Sequence, residues 1–359
     1  MAKWKRGRLQ NDYARVRFPL APLMSQKFKT ILVTGGAGFI GSHFIRYYLQ
    51  AHPQTRVVNV DLLGYAGNLE NLRDVEANLQ YQFYQADIGD FKAMSRILKK
   101  EKPEAIVNFA AESDNNKAID SPIDFVRTNA LGTAVLLEAS RQFGKLKRFH
   151  HISTCEVFGQ LSLKSRAFFF EHSPFQPRTP YNASKAAANH IVSSYFHTFG
   201  LPVTISHACN NYGSHQFPEK VIPVFVIRAL QGEPLPVFKS SQNQREWIHV
   251  LDHCRGIEVV LEKGKIGESY NIGSGLEKTI DQLASEILRI LGKPRNLKKI
   301  IPDRPGHDTR YLLDSRKMAK LGWKPQIKWE EGLWETVQWY KNNPQWWKPL
   351  LKKSHARKY

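Results

Sequence analysis

Three glycines that directly follow a short apolar segment constrain the fold of this chain more than any other feature. Residues 29–34 (KTILVT) are mostly apolar and β-branched, which predicts a buried parallel strand. Gly35, Gly38 and Gly41 follow at once, and residues 42–50 are predicted to be helical. Glycines at this spacing allow a tight turn and a close approach of the backbone to a pyrophosphate, which then faces the helix N-terminus. The segment therefore predicts a dinucleotide site at the first βα turn of an α/β sheet.

The ends of the next predicted strands supply further candidates for this site. Asp61 follows the predicted strand 56–60 and lies twenty residues after Gly41. A carboxylate at this place can bind the adenosine ribose hydroxyls, which favours NAD over NADP. Ligands of open α/β sheets bind at the carboxyl ends of the strands. By this rule the other candidate contacts are Asp87, Ile88, Ala110 and Ala111.

A tyrosine and a lysine four residues apart suggest a catalytic base. Tyr181 and Lys185 fall in the predicted helix 180–199, so both side chains lie on one face. A nearby cation favours the phenolate, so Lys185 is expected to lower the pKa of Tyr181. The strand predicted over residues 148–152 brings residues 153–156 (STCE) to the same edge of the sheet. A tyrosine and a lysine at this spacing often belong to an ordinary exposed helix face. In this chain they follow a nucleotide-binding signature, which favours a catalytic role.

Composition restricts the class of protein. The 359 residues are 42% hydrophobic and 23% charged, as in a globular protein, and contain no apolar run long enough to span a bilayer. No signal-peptide core precedes the first strand. Cys155, Cys209 and Cys254 are too scattered for a disulfide framework or a Cys-x-x-Cys metal site. We therefore expect a cytoplasmic protein without a metal or a membrane partner.

The net charge of +20 is concentrated at the ends of the chain. Residues 1–27 contain seven Lys or Arg against one Asp, and residues 348–359 contain five Lys or Arg and no acid. We interpret both as solvated basic segments, with residues 1–27 a disordered extension and Met24 a possible true start. A nucleic-acid partner is not expected, although attraction to RNA or to an anionic membrane is an alternative explanation for the charge.

The order of the predicted elements indicates the architecture. Strands and helices alternate from residue 29 to about residue 207, which is typical of a Rossmann-type, doubly wound parallel sheet. After residues 210–213 (NNYG) the pattern becomes mixed. We expect an α/β protein with an NAD-binding core over residues 28–207. Residues 208–347 then form a smaller substrate lobe with some segments that return to the core, followed by the basic tail 348–359.

Taken together, these motifs resemble the extended short-chain dehydrogenase/reductase superfamily, and within it the dTDP-glucose 4,6-dehydratase group of nucleotide-sugar dehydratases. The likeness extends from about residue 29 to residue 343. It rests on residues 34–43 (TGGAGFIGSH), 110–113 (AAES), 152–154 (IST), 181–185 (YNASK), 210–213 (NNYG), 217–223 (FPEKVIP), 270–273 (YNIG) and 303–311 (DRPGHDTRY).

The resemblance implies a function and a set of site residues. It implies oxidation of the sugar at C4, loss of water across C5–C6, and hydride return to give a 4-keto-6-deoxy sugar. The implied NAD contacts are Gly35, Gly38, Phe39, Ile40, Gly41, Asp61, Asp87, Ile88, Ala110, Ala111, Tyr181 and Lys185. The implied catalytic residues are Thr154, Cys155, Glu156, Tyr181 and Lys185, with Glu156 as the base at C5. The implied substrate contacts are Ser113, Asn210, Glu219, Lys220, Arg245, Asn271, Arg304 and Tyr311.

The chain departs from the family pattern where the hexose should bind. Cys155 stands where the dehydratases have the aspartate that acts as acid for water loss. A thiol is mostly protonated at neutral pH, and Glu156 beside it would keep it so, which makes Cys155 a candidate acid. The alternative is a small buried cysteine. Asp114, Asn115 and Asn116 replace the usual His-Val-Asp, and Glu246 replaces an aspartate.

These departures leave several functions open. The leading hypothesis is the 4,6-dehydratase, and the alternatives include a UDP-N-acetylglucosamine-type 5,6-dehydratase that forms an exocyclic alkene. A 4-epimerase would not need Cys155 and Glu156. A binding protein that has lost its chemistry is an alternative of a different class. The resemblance also implies a homodimer formed through two long helices, predicted at 121–143 and 180–199.

Overall fold

The computed structural model describes residues 28–303 and 305–353. In chain order, the described residues form the strands β1 (Thr30–Thr34), β2 (Arg56–Asp61), β3 (Tyr81–Gln85), β4 (Ala105–Asn108), β5 (Arg148–Thr154), β6 (Val203–Ala208), β7 (Asn210–Tyr212), β8 (Leu235–Phe238), β9 (Gln244–His249), β10 (Ser269–Ile272), β11 (Glu277–Thr279) and β12 (Lys298–Ile301).

The helices surround these strands. They are α1 (Phe39–Ala51), α2 (Phe91–Glu101), α3 (Asn115–Asp120), α4 (Pro122–Phe125), α5 (Thr133–Phe143), α6 (Pro180–Phe199), α7 (Val221–Gln231), α8 (Val250–Lys263), α9 (Ile280–Ile290), α10 (Arg316–Lys320), α11 (Trp329–Asn342) and α12 (Pro344–Leu350).

Seven parallel strands form the main sheet, in the order β10-β6-β5-β4-β1-β2-β3. The order reverses direction between β1 and β4, where open α/β sheets bind their ligands. The central strand β1 is apolar because both of its faces are covered, and Ile31, Leu32 and Val33 are fully buried. The predicted doubly wound Rossmann-type sheet is confirmed.

Two of the three predicted helices agree with the structure, and one long segment differs. The helix predicted over 42–50 lies within α1, and the helix predicted over 180–199 has the same bounds as α6. The single helix predicted over 121–143 is divided into α4, a π-helix at Val126–Gly132 and α5. Asn129 lies in the π-helix, and its side chain bonds both the N–H and the carbonyl of Glu112. A hydrophobic pattern cannot reveal this local change of helix type, which here holds the segment after β4 in place.

The second half of the chain builds a smaller unit. Strands β7, β9 and β11 form one small sheet, and β8 pairs with β12. Helices α7, α9 and α11 pack against them around a separate hydrophobic cluster that includes Phe225, Leu283 and Leu333. Strand β10 leaves this unit and pairs with β6 of the main sheet.

Of the two predicted terminal segments, only the second lies partly within the described residues. Residues 1–27 lie outside the described residues. The basic tail predicted over residues 348–359 stays a prediction, and its first residues belong to α12, which extends to the buried Leu350. Within the described ranges, none of the helices has the length and apolar character needed to cross a bilayer.

Candidate active site

The glycine turn after β1 brings the backbone unusually close to the sheet. Gly35 has a φ of +68°, and a Cβ there would lie 2.7 Å from the backbone nitrogen of Ala110. A Cβ on Gly41 would lie 2.4 Å from the Gly35 carbonyl oxygen. Gly38 caps α1 without a side-chain hydrogen bond. Since the first N–H groups of a helix lack intrahelical partners, the start of α1 offers donors to an anion.

Asp61 lies at the end of β2 and closes the glycine turn. Its two carboxylate oxygens accept hydrogen bonds from the backbone N–H groups of Ala37, at 2.9 Å, and Leu63, at 2.8 Å. Burial raises the pKa of this carboxyl, and the two N–H donors oppose that shift. The carboxylate is therefore held in place by the backbone before any ligand arrives.

A single cavity of about 490 Å³ joins the glycine turn to the strand ends of β4, β5 and β6. Most of the predicted site residues line it. They are Gly35, Gly38, Phe39, Ile40, Gly41, Asp61, Asp87, Ile88, Ala110, Ala111, Ser113, Thr154, Glu156, Tyr181, Lys185, Asn210, Glu219, Lys220 and Arg245.

Tyr181 and Lys185 occupy successive turns of α6 at the wall of this cavity. Burial and the charge of Glu156 raise the pKa of Tyr181, and a hydrogen bond with Thr154 opposes the increase. Burial lowers the pKa of Lys185 to about 7. The lowering of the tyrosine pKa expected from Lys185 is therefore not found in the structure. Because its pKa is near 7, Lys185 can be an amine or an ammonium ion at neutral pH, and the ammonium form is the one that favours the Tyr181 phenolate.

Glu156 faces the cavity from the 3₁₀ turn Cys155–Phe158 after β5. Its backbone N–H is capped by the Thr154 hydroxyl, at 3.3 Å, and its carboxylate accepts a hydrogen bond from Asn115 at 3.1 Å. A hydrogen bond from a neutral amide orients a carboxylate without neutralising its charge. Glu156 is thus held as a base beside Thr154 and Tyr181.

Cys155 does not lie where the predicted acid role would need it. It is 1% exposed, belongs to the hydrophobic core with Val157 and Cys209, and is not among the residues that line the cavity. Successive residues of a 3₁₀ turn point about 120° apart, so Glu156 faces the cavity while Cys155 faces the core. Burial and the Glu156 charge raise the pKa of the thiol, which stays protonated but behind the cavity wall.

A second carboxyl group enters the cavity beside α7. Glu219 accepts a hydrogen bond from the Tyr65 hydroxyl at 2.9 Å and lies 3.5 Å from the Lys220 ammonium. Burial raises the pKa of Glu219 to about 7. The neighbouring carboxylate of Asp114 acts in the same direction. Lys220 donates to the Ser113 carbonyl at 2.7 Å, which ties the start of α7 to the segment after β4.

Among the described residues, two of the predicted substrate contacts do not line the cavity. Asn271 is fully buried and donates to the Phe169 carbonyl at 2.9 Å. Tyr311 is buried beneath Arg245, whose guanidinium lies 4.8 Å from the centre of the ring. Both side chains position the wall rather than line it. Arg304 lies outside the described residues.

Arg245 is the basic group that the structure fixes most firmly in this region. Its guanidinium donates to the carbonyl oxygens of Gln244, Thr309 and Asp308 at 2.9, 3.2 and 2.7 Å.

Further side chains from the second half of the chain line the cavity and were not predicted from the sequence. They are Gln216, Phe217, Pro236, Phe238, Trp247, His253, Ile301 and His307. Tyr65 was missed as well, although the sequence Gly64-Tyr65-Ala66-Gly67 after β2 marks a loop at the right edge of the sheet.

Comparison with known proteins identifies the family. A family model described as GDP-mannose 4,6 dehydratase matches residues 32–336. A dTDP-glucose 4,6-dehydratase from Haemophilus influenzae is 46% identical over 330 residues, which cover 86% of this chain and 97% of the relative.

Solved structures agree with this relationship. The dTDP-glucose 4,6-dehydratase of Streptomyces venezuelae, solved with NAD bound, is 44% identical with a TM-score of 0.86, and the match covers 89% of this chain and 99% of that one. The enzyme from Bacillus anthracis, in complex with NAD, is 42% identical with a TM-score of 0.84 and the same coverage. A UDP-glucose 4-epimerase from Thermotoga maritima is 30% identical with a TM-score of 0.79, over 88% of this chain and 99% of that one. The chain belongs to the GDP-mannose 4,6 dehydratase family.

Proposed function

We propose that the protein is an NAD-dependent nucleotide-sugar 4,6-dehydratase, with dTDP-glucose as the first substrate to test. The observation that carries this proposal is that Thr154, Glu156, Tyr181 and Lys185 line one cavity together with the glycine turn. An epimerase needs the tyrosine and the lysine but has no use for a carboxylate base at C5. The curated relatives named dTDP-glucose 4,6-dehydratase support the same choice.

The residues present fit NAD. The glycines leave space that a Cβ at position 35 or 41 would fill, and α1 presents its uncapped N-terminus to the cavity. Asp61 lines the adjacent part of the cavity, where a carboxylate suits ribose hydroxyls. Among the described residues the buried hydroxyl of Ser153, which also lines the cavity, has no hydrogen-bond partner. The chemistry that NAD supplies when bound is reversible hydride transfer.

The protein side chains supply the proton transfers. Tyr181, as a phenolate that the charge of the Lys185 ammonium stabilises, accepts the proton of the sugar C4 hydroxyl as that carbon is oxidised, and Thr154 orients the same oxygen. A C4 ketone acidifies the C5–H bond, so Glu156 can remove this proton. Water then leaves from C6, and the return of the hydride to C6 with a proton from solvent to C5 gives a 4-keto-6-deoxy sugar.

The acid that assists the departure of water must be a group that faces the cavity. Cys155 was predicted for this role, but its thiol lies in the core. Glu156 carries a proton once it has taken one from C5, and it can pass that proton to the leaving C6 hydroxyl. We therefore propose that Glu156 serves as base and then as acid, which needs no further residue.

The basic side chains on the lobe side are placed to bind the nucleotide diphosphate. Lys220 and Arg245 line the cavity together with Asn210, and both cations are fixed by backbone carbonyls. We propose that residues 208–347 hold the nucleotide and the hexose while residues 28–207 hold NAD. Glu219 and Asp114 offer hydrogen-bond acceptors for sugar hydroxyls.

We further propose that two copies associate through the long helices, in the cytoplasm. Large apolar side chains are exposed along residues 121–143, with Ile123, Val126 and Leu131 each about half or more accessible. Phe199 is similarly exposed at the end of α6. An apolar face of this kind suits an isologous dimer interface. Static light scattering should give twice the mass of the chain, and a monomer would contradict the proposal.

One experiment tests the function directly. Purified enzyme in D2O is supplied with dTDP-glucose, UDP-glucose or UDP-N-acetylglucosamine and followed by NMR and mass spectrometry. Loss of water with deuterium at C5 and a new C6 methyl group is the expected result. An exocyclic alkene would instead show a 5,6-dehydratase, and an unchanged mass with an inverted C4 would show an epimerase. No reaction with any sugar, despite bound NAD, would indicate a binding protein.

A further inference from the structure

Two departures from the family pattern meet at Glu156. Cys155 precedes it in the chain, and Asn115, which stands where the dehydratases usually have valine, contacts it from α3. The Asn115 side chain lies between the Glu156 carboxylate and Thr179, the residue that caps the N-terminus of α6. A valine could make neither hydrogen bond, so this connection depends on a residue in which the chain differs from its family.

The contacts of Asn115 fix the orientation of its amide. A carboxylate only accepts hydrogen bonds, so the NH2 group must face Glu156, with 3.1 Å between Nδ2 and Oε2. The amide oxygen then faces Thr179, whose hydroxyl donates to it at 3.1 Å. A rotated amide would place its oxygen against the carboxylate, where two acceptors repel each other.

These bonds form a chain that begins in the first turn of α6 and ends at the base. The backbone N–H of Asn182 donates to the Thr179 hydroxyl oxygen at 3.2 Å, so each donor in the chain points toward Glu156. Hydrogen bonds in series polarise one another, which strengthens the last of them. Tyr181 belongs to the same turn of α6. Asn115 therefore holds the base relative to the turn that carries the catalytic tyrosine.

The amide also makes the two oxygens of the Glu156 carboxylate different. In a carboxylic acid the hydroxyl oxygen is a weaker acceptor than the carbonyl oxygen. While Asn115 donates to Oε2, a proton taken up by Glu156 is therefore favoured on Oε1. The same oxygen that receives a proton is then the one that can give it away.

We propose that Asn115 is a positioning residue for the elimination step, which holds Glu156 so that Oε1 takes the proton from C5 and gives it to the leaving C6 hydroxyl. The C5–H bond breaks and its electron pair forms the C5–C6 double bond. The C6–O bond breaks, water leaves with the transferred proton, and the carboxylate is restored. The inference rests on the proposed function for its role in turnover, whereas the hydrogen-bond chain is a property of the ligand-free protein.

The first test is made without substrate. In protein labelled with ¹⁵N-asparagine, the NH2 signals of Asn115 are assigned by their loss in Asn115→Val. Glu156→Ala removes the acceptor, so the proton bonded to it should move upfield and exchange faster with water. The Asn129 NH2 group, which donates to the Glu112 carbonyl, is the internal control and should not change. An Asn115 signal that Glu156→Ala leaves unaltered would overturn the proposal, whether or not the enzyme converts any sugar.

The second test separates oxidation from elimination. In Asn115→Val the base remains but loses its orientation, so kcat for the 4-keto-6-deoxy product should fall about tenfold, as for the loss of one hydrogen bond to a charged group. KM should change little. Oxidation at C4 does not use Glu156, so reduced nicotinamide should accumulate during turnover and be visible by its near-ultraviolet absorbance. An unchanged kcat, or a fall without this accumulation, would show that Asn115 does not act through Glu156.

Thr179 supplies a matched pair of variants for the same readout. Thr179→Ser keeps the hydroxyl that donates to Asn115, whereas Thr179→Ala loses it. Reduced nicotinamide should accumulate in Thr179→Ala and less in Thr179→Ser. Equal accumulation in the two variants would show that the chain from α6 does not orient the base.

Discussion

The side-chain amide of Asn115 donates a hydrogen bond to the carboxylate of Glu156, with 3.1 Å between Nδ2 and Oε2. Asn115 begins α3, after β4, and Glu156 follows the adjacent strand β5. The contact thus joins two neighbouring strand ends at the point where a sugar would meet the base. Because the amide leaves the negative charge in place, Glu156 stays available to take a proton.

Replacement of Glu156 by Gln should abolish elimination. The amide keeps the size of the side chain but cannot accept the C5 proton, so we expect turnover to fall by about 10²–10⁴-fold. The measurement is the release of 4-keto-6-deoxy product, with deuterium uptake at C5 as a second readout. Asn115→Ala is the matched variant, and it should retain more activity because the base remains. Full turnover in Glu156→Gln would exclude Glu156 as the base.

Replacement of Cys155 by Ala should leave most of the turnover intact. The thiol packs in the core and does not line the cavity, so its loss should lower the free energy of unfolding by about 1 kcal/mol without removing an acid. Urea unfolding and kcat with dTDP-glucose measure the two effects. A drop in turnover of about 10²-fold or more in a variant that folds normally would restore Cys155 as the acid.

The turnover number should depend on the charge of Lys185. Burial lowers the pKa of this amine to about 7, and only its ammonium form carries the positive charge that stabilises the Tyr181 phenolate. We therefore expect kcat to fall as the pH rises through about 7. Lys185→Met should remove this limb together with most of the activity. A kcat that rises with pH through 7 and then levels off would contradict the assignment.

A methyl group added at Gly41 should weaken NAD binding. Its Cβ would lie 2.4 Å from the Gly35 carbonyl oxygen, so the glycine turn must shift or α1 must move away. We expect a loss of stability on the order of 2 kcal/mol and a lower NAD content in the purified protein. Gly64→Ala is the control, because a Cβ at Gly64 meets nothing within 4 Å. Equal NAD contents in the two variants would argue against a steric role for Gly41.

The stability of the protein should fall in mild acid. His43, His150, His207 and His253 are buried, and burial lowers the pKa of each to about 3. Between pH 6.5 and 3 the unfolded chain binds protons at these residues while the folded chain does not. Each such histidine therefore lowers the free energy of unfolding by roughly 1 kcal/mol for each pH unit below 6.5.

Urea titrations at pH 7.5 and 5.5 measure this dependence. Glu219 and Glu246 act in the opposite sense, because their pKa values are raised to about 7, but they are fewer than the histidines. In His43→Gln the free energy of unfolding should depend less steeply on pH, by the equivalent of about one bound proton. The new amide can still donate to the Ser214 carbonyl, so the packing is kept. His172→Gln, at an exposed position, should leave it unchanged. A stability that is equal at both pH values would refute the expectation.

The features that could be predicted from the sequence were those fixed by local chemistry. The turn at Gly35 to Gly41 requires residues without a Cβ, and the i, i+4 spacing of Tyr181 and Lys185 puts them on one face in any helix. The predicted strands of the main sheet were correct because both faces of that sheet are covered with apolar residues. The strands of the lobe were missed because they are short and lack clear alternation.

The remaining differences depend on contacts between distant segments. Whether Cys155 or Glu156 faces the cavity is decided by the phase of a 3₁₀ turn, which the sequence does not specify. Tyr311 and Asn271 match the family motif in position, yet neither lines the cavity. Tyr311 packs under Arg245, and Asn271 donates to the Phe169 carbonyl, so both support the cavity wall from behind. The contact between His151 Nε2 and Lys185 Nζ, at 3.4 Å, could not be predicted, because it depends on the register of two strands and on the packing of α6.

The return of β10 to the main sheet bears on how the chain can be divided. β10 pairs along β6, so residues 28–207 by themselves would leave the backbone groups of β6 unpaired at an open edge. The nucleotide-binding half is therefore completed by β10, which begins some sixty residues after the end of β6. Three strands of the lobe, β7, β8 and β9, lie between them in the sequence. A fragment cut at the apparent domain boundary should aggregate through this edge, and the two halves are expected to fold as one unit.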